Sequence, residues 1–80
     1  MDVTINTIKD IIKKEELNID VEKMEAEVPL KEQGIDSLDM YSILLKLEVT
    51  FEIKIPDEDI DKLDNLKNIM NYIMEKKVEV

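Results

Sequence analysis

Histidine, cysteine and tryptophan are missing from this 80-residue chain, which has one glycine, two prolines and one phenylalanine. Each absence excludes a class of chemistry. Without thiol or imidazole there is no disulfide, no ordinary zinc site and no His- or Cys-dependent catalytic pair. Without a glycine-rich stretch there is no phosphate-binding loop of the nucleotide-binding kinds. The scarcity of aromatic and turn residues argues against a sandwich or barrel and for helices. The opening MDVTIN has neither the basic residues nor the apolar run of a signal peptide, and no apolar run approaches a membrane span. The expectation is a soluble, cytoplasmic chain.

What is present is aliphatic and acidic. Hydrophobic residues make up 44% of the chain, and the formal net charge is −9. The length suits one domain, residues 1–80, which buries roughly 60–65% of its unfolded surface and has only a few kcal/mol of stability. The charge repels nucleic acid and anionic membranes and attracts basic partners.

Four apolar segments stand out. Ile5, Ile8, Ile11 and Ile12 share one face opposite Lys9, Asp10, Lys13 and Lys14, which predicts a helix over about 3–16 capped by Asp2 or Thr4. Residues 17–35 read as a long loop pinned by Leu17, Ile19, Val21, Val28 and Leu30, with a short turn at Val21 to Met24. A loop of that length is often functional. A second helix is predicted from Ser37 to Phe51, with Asp36 as N-cap and Asp39 completing a capping-box-like pair. It carries two apolar stripes: Ile43, Leu47 and Phe51 flanked by Met40 and Leu44, and Tyr41, Leu45 and Val49 beside them. That is more apolar surface than one helix of a small bundle needs. Glu52 to Pro56 reads as an extended connector, and Asp57 to Leu63 as one or two acidic turns. A last helix, about 65–76, carries Leu66, Ile69, Met70 and Ile73, is capped by Asp64 or Asn65, and ends in Lys76 and Lys77, which suit its dipole.

Few residues carry a chemical signal. The run Asp57-Glu58-Asp59-Ile60-Asp61 invites comparison with a calcium loop, but Lys62 stands where an EF-hand needs glycine and Asn68 where it needs glutamate. A solvated helix start explains those carboxylates better, and no metal site is assigned. Carboxylate pairs at short spacing are expected by chance at this acidity and do not mark acid/base catalysis. Met24, Met40, Met70 and Met74 read as core or groove fillers. The remaining signal is GIDSLDM, residues 34–40, a lone hydroxyl between aspartates where an apolar helix begins. Ser37 is either a cap residue or a hydroxyl that accepts a phosphate, for which the free N–H groups and positive end of a helix are suited. Gly34 lets the loop turn into that position.

The stretch from Gly34 to Ile73 resembles the acyl carrier proteins. The resemblance is carried by Gly34, Asp36-Ser37-Leu38, Leu47 with Phe51, Ile55-Pro56-Asp57-Glu58, and the apolar helix Leu66 through Ile73, all in one register. It implies an all-α bundle of three longer helices and one short one. It also implies that Ser37 receives 4′-phosphopantetheine from coenzyme A, with Gly34, Asp36 and Leu38 framing the site. A phosphopantetheinyl transferase (holo-acyl-carrier-protein synthase) supplies the base and the metal. The chain would then be a phosphoprotein of lipid metabolism that holds acyl groups as thioesters, itself no enzyme. Its partners would be acyl-activating and acyl-transferring enzymes with basic docking patches, meeting Asp39, Met40, Tyr41, Glu48, Val49, Asp57 and Glu58 of a monomer.

Departures from the family pattern are Gln33, where leucine is frequent, and Ser42, Val49 and Thr50, where acidic residues are frequent. They favour a dedicated lipid or polyketide pathway over general fatty-acid synthesis. An aminoacyl or peptidyl carrier, or an acidic interaction module without a prosthetic group, are the alternatives. One physical expectation follows from charge alone. Carboxylates at 57, 58, 59 and 61 repel one another, so added salt or millimolar divalent cation raises the melting temperature. A melting temperature indifferent to both would show that this repulsion is negligible.

Overall fold

The phase of the isoleucines decides how long the first helix lasts. In the computed structural model, which describes residues 3–78, helix α1 spans Ile5–Lys13. Thr4 caps it by accepting the Thr7 N–H at 3.1 Å; Asp2, the other candidate, lies outside the described residues. Ile8, Ile11 and Ile12 are buried. The helix is shorter than the predicted 3–16. Continued at 3.6 residues per turn, it would carry Leu17 to the face opposite Ile8 and Ile12. The chain instead leaves the helix, passes through a left-handed Glu16 (φ 55°) and returns Leu17 half-buried against the core.

The loop that follows is more ordered than its composition suggested. It contains the expected turn at Val21–Lys23 and a second 3-10 turn at Leu30–Gln33. Val21, Met24, Leu30 and Ile35 are buried, so the loop is anchored from inside. Gln33 anchors it from within the loop itself. Its side chain accepts the Glu25 N–H at 2.8 Å and donates to the carbonyls of Glu25 at 3.0 Å and Val28 at 2.8 Å. Two backbone bonds stitch the loop to the last helix, Leu30 N–H to the Asp64 carbonyl at 2.7 Å and Lys67 N–H to the Ala26 carbonyl at 3.0 Å. These bonds satisfy polar groups that burial would otherwise strand.

Helix α2 spans Ser37–Phe51 and α3 spans Leu66–Val78. Of the two apolar stripes of α2, the one made by Met40, Ile43, Leu44, Leu47 and Phe51 is buried. The helix stops at a left-handed Glu52 (φ 55°), whose N–H returns to the Glu48 carbonyl. The connector is extended, with Ile53 and Ile55 half-buried, and the Glu48 carboxylate holds it by accepting the Ile55 N–H at 2.8 Å. A six-residue 3-10 helix, Asp57–Lys62, follows Pro56 and delivers the buried Leu63. Asn65 is the cap of α3, accepting the Asn68 N–H at 2.7 Å. Leu66, Ile69 and Ile73 are buried and Met70 packs beside them, but Met74 is exposed and is no core filler. Four residues past Met70, it falls toward the outer edge of the helix as the stripe drifts. Lys77 reaches a neighbour's helix end, donating to the Phe51 carbonyl at 3.3 Å.

Every regular element among the described residues is helical. The fold is therefore all-α, three longer helices and a short one, with α1 touching both α2 and α3 around one aliphatic cluster. Among the described residues, no helix is long and apolar enough to cross a membrane.

The short helix packs Ile60 against the core, and a polar contact also ties it to α3. The Tyr72 hydroxyl donates to Asp59 at 2.7 Å, and Lys62 pairs with the same carboxylate at 3.2 Å. The Tyr72 hydrogen bond, and after it Lys62, holds the Asp59 pKa below the ordinary carboxylate value. A depressed carboxylate stabilises the fold above its unfolded pKa and loses that contribution as pH falls through the folded value. Tyr72→Phe should thus lower the melting temperature at neutral pH, by a margin that closes on acidification through the aspartate range. A margin that stays constant into acid would mean that Tyr72 acts by packing alone.

Candidate functional site

The site begins with a turn that only glycine accommodates. Gly34 closes the Leu30–Gln33 turn at φ 97°, and a β-carbon there would lie 3.1 Å from Ile19 Cγ2. Ile35 then plunges into the core, 1% exposed, with its N–H on the Leu30 carbonyl at 3.1 Å. These two residues fix the direction in which the chain enters α2.

Asp36 supplies the cap. Its backbone is extended, and its carboxylate accepts the Asp39 N–H at 2.9 Å. The capping role is therefore filled by Asp36, and Ser37 is the first helical residue with an exposed side chain. The opening N–H groups of a helix lack intrahelical acceptors. Those of Ser37 and Leu38 lie in that first turn, where the helix dipole favours an anion. Asp39 is drawn partly inward. Burial, and then the charge of Asp36, pushes its carboxyl above the ordinary aspartate value.

A cavity of about 400 Å³ opens beside the hydroxyl, within the usual range for small-molecule sites. Its walls come from three elements: Leu30 from the loop, Met40 and Leu44 from α2, and Ile60 and Leu63 from the acidic segment. Ser37 and Tyr41 also line it, and its charged border is mixed, Lys31 on one side and Asp61 and Asp64 on the other. An exposed hydroxyl, the first-turn N–H groups of a helix and an adjoining apolar cavity together suit a phosphodiester with a long apolar attachment.

The structure brings Gly34, Asp36, Ser37 and Leu38 together and sorts the other candidates. Met40 is turned inward to the cavity wall, Tyr41 is exposed at the cavity's rim, and Val49 stands exposed on the outer side of α2. Glu48 is half-buried and engaged with the connector. Asp57 and Glu58 are exposed at the start of the short helix. Among the described residues, no cluster of three or more acidic side chains is arranged to hold a metal ion. Neither Lys31 nor the Gln33 bonds could be read from the residues alone. A lysine and a glutamine in a polar loop carry no periodic signal, and only the chain's path places them.

Comparison with known proteins agrees with this geometry. The family model for a phosphopantetheine attachment site matches residues 6–73. The chain is 43% identical over 70 residues to an acyl carrier protein homolog of Mycoplasma genitalium, covering 88% of this chain and 80% of that protein. It is 39% identical over 72 residues to an acyl carrier protein of Campylobacter jejuni, covering 88% and 91%. With an acyl carrier protein of Bdellovibrio bacteriovorus the identity is 37% over 70 residues, covering 86% and 88%.

The division of labour between neighbouring residues can be tested by stability. Asp36→Ala should cost about 1 kcal/mol, as loss of a cap does. Ser37→Ala should cost almost nothing, because its hydroxyl does not cap α2. Gly34→Ala combines a left-handed backbone with the Ile19 contact and should cost about 1–2 kcal/mol. Denaturant titrations of the three variants check the order; an equal loss for Ser37→Ala and Asp36→Ala would make Ser37 part of the cap.

Proposed function

The chain belongs to the acyl carrier protein family, and from that premise we propose that Ser37 is its point of attachment for 4′-phosphopantetheine. The observation that carries the proposal is the exposed Ser37 hydroxyl, released from capping by Asp36 and placed beside the cavity. The Ser37 oxygen forms an ester bond to the β-phosphate of coenzyme A as its pyrophosphate linkage breaks. The adenosine bisphosphate leaves, and the serine proton passes to the base of the transferase. Once attached, the group supplies the thiol that holds an acyl chain as a thioester.

The protein's own residues perform simpler tasks. Gly34 and Asp36 set where the helix starts, and the first-turn N–H groups receive the phosphate. Leu38 stands beside the serine for the loading enzyme to contact. The apolar cavity wall, Leu30, Met40, Leu44, Ile60 and Leu63, offers shelter to an aliphatic chain. Nothing in this set acts as nucleophile and base together, so the chain is a substrate and shuttle for other enzymes. It is a cytoplasmic monomer, kept from its own copies by its charge of −9 and drawn to basic docking patches. Asp39, Asp57 and Glu58 present that charge, with Glu48 behind them, while Tyr41 and Val49 contribute apolar contact. The exposed apolar side of α2 fits a dedicated lipid or polyketide pathway better than general fatty-acid synthesis.

Intact-mass measurement after incubation with a broad-specificity phosphopantetheinyl transferase and coenzyme A tests the assignment. One prosthetic group should be added to the chain and none to Ser37→Ala. Addition at Ser42, or an unchanged mass on folded protein, would overturn it.

A further inference from the structure

We propose that Gln33 is a positioning residue that fixes one wall of the cavity beside Ser37, and that its clamp limits the length of aliphatic chain the protein shelters. The proposal rests on the reading of that cavity as the shelter for a chain carried from Ser37, and it names what sets the cavity's capacity.

The half-buried Gln33 amide is held from three sides. Its oxygen accepts the Glu25 N–H at 2.8 Å, and its nitrogen donates to the carbonyls of Glu25 at 3.0 Å and Val28 at 2.8 Å. Both donors of the amide are thereby spent, and only one orientation of the group serves all three partners. The bonds reach back five and eight residues, so they close the loop on itself. The gripped segment is fastened in turn to α3, where the Lys67 N–H meets the Ala26 carbonyl at 3.0 Å. An apolar side chain at 33 would make none of the amide's bonds, and the Glu25 and Val28 backbone groups would turn to water.

Leu30 lies inside this clamp. It opens the 3-10 turn that Gln33 closes, it is buried, and it forms one wall of the cavity. The turn has no side-chain cap at its start. Its Leu30 N–H is bonded to the Asp64 carbonyl at 2.7 Å, which ties the loop wall to the wall made by Leu63. Met40 and Leu44 belong to a 15-residue helix and cannot retreat singly. A cavity in a packed interior grows only when a wall moves, and Gln33 restrains the wall best able to do so. At about 30 Å³ for each methylene-sized group, the share of a water molecule, 400 Å³ takes roughly a dozen groups. With the thioester end counted, that is an acyl part of about ten carbons.

A broad-specificity phosphopantetheinyl transferase, given acyl-coenzyme A from butanoyl to tetradecanoyl, attaches chains of known length, and intact mass confirms each product. A sheltered chain stabilises only the folded state, so the melting temperature of each acyl form above that of the bare-arm form reads the shelter. In the parent this gain should rise with length and stop at about ten carbons. In Gln33→Leu it should peak at least about two carbons later, roughly 60 Å³ of added room. Gln33→Glu keeps the acceptor for the Glu25 N–H but lacks both donors. It should move the peak the same way, and it decides the matter where the leucine variant fails to fold. Cleavage of the thioester by hydroxylamine should be slowest at the peak length of each chain. A fall in melting temperature that is equal for every form, with the peak unmoved, would make Gln33 a structural residue only and overturn the proposal. A parent whose gain is indifferent to length would show that the cavity shelters no chain, and the proposal falls with that reading. An unchanged mass would instead overturn Ser37 as the attachment point and all that rests on it.

Discussion

The hydrogen bond from the Asp39 N–H to the Asp36 carboxylate, 2.9 Å long, sets the register of α2. With the cap at Asp36, Ser37 is the first helical residue, and its oxygen is available to a reagent. The same register points Ile43, Leu47 and Phe51 into the core and Leu38, Leu45 and Val49 outward. A slip of the whole helix by one residue against its neighbours would rotate every side chain by about 100° and exchange part of the core with the surface. The cap therefore couples the chemistry at one end of the helix to the packing along its length. Gly34 and Ile35 protect that register from the N-terminal side, one by its positive φ and the other by its burial.

A small, strongly acidic domain has little energy to spare, so the manner in which its loops are held matters. The loop from Leu17 to Ile35 is held by four buried aliphatic residues, by the Gln33 amide and by two backbone bonds to the start of α3. Those contacts also build one wall of the cavity beside Ser37, through Leu30 and Lys31. The ion pairs are a different matter. Lys13 with Glu22, Lys67 with Glu27 and Lys23 with Asp20 lie at the surface, where water screens them and each is worth little. Burial of aliphatic surface sets the stability, and charge sets the approach of partners.

Much of this was legible in the residues. The three main helices, the Asp36 cap, the extended connector and the two apolar stripes of α2 follow from periodicity and cap chemistry, which are local. Ser37 stood out because its neighbours match a known family; taken alone, a hydroxyl at a helix start reads more readily as a cap. The boundaries of α1 were less legible. Its polar pattern continues smoothly past Lys13, and the cost of carrying Leu17 to the wrong face is paid only in a packed structure. Met74 likewise kept the helical spacing of a core residue while the core itself ended before it.

Local chemistry, carried by the sequence itself, determined that the chain is helical, acidic and without thiol or imidazole, and that Ser37 opens a helix. Tertiary structure decided what lies next to that serine. The cavity joins residues thirty and more positions apart, and no spacing rule relates Leu30 to Leu63 or Lys31 to Ser37. It also decided which stripe of α2 faces water. Two apolar faces on one helix are equivalent in sequence, and only the positions of α1 and α3 determine which is covered. Gln33 shows the same limit, because a side-chain amide finds its partners through the path of the backbone around it.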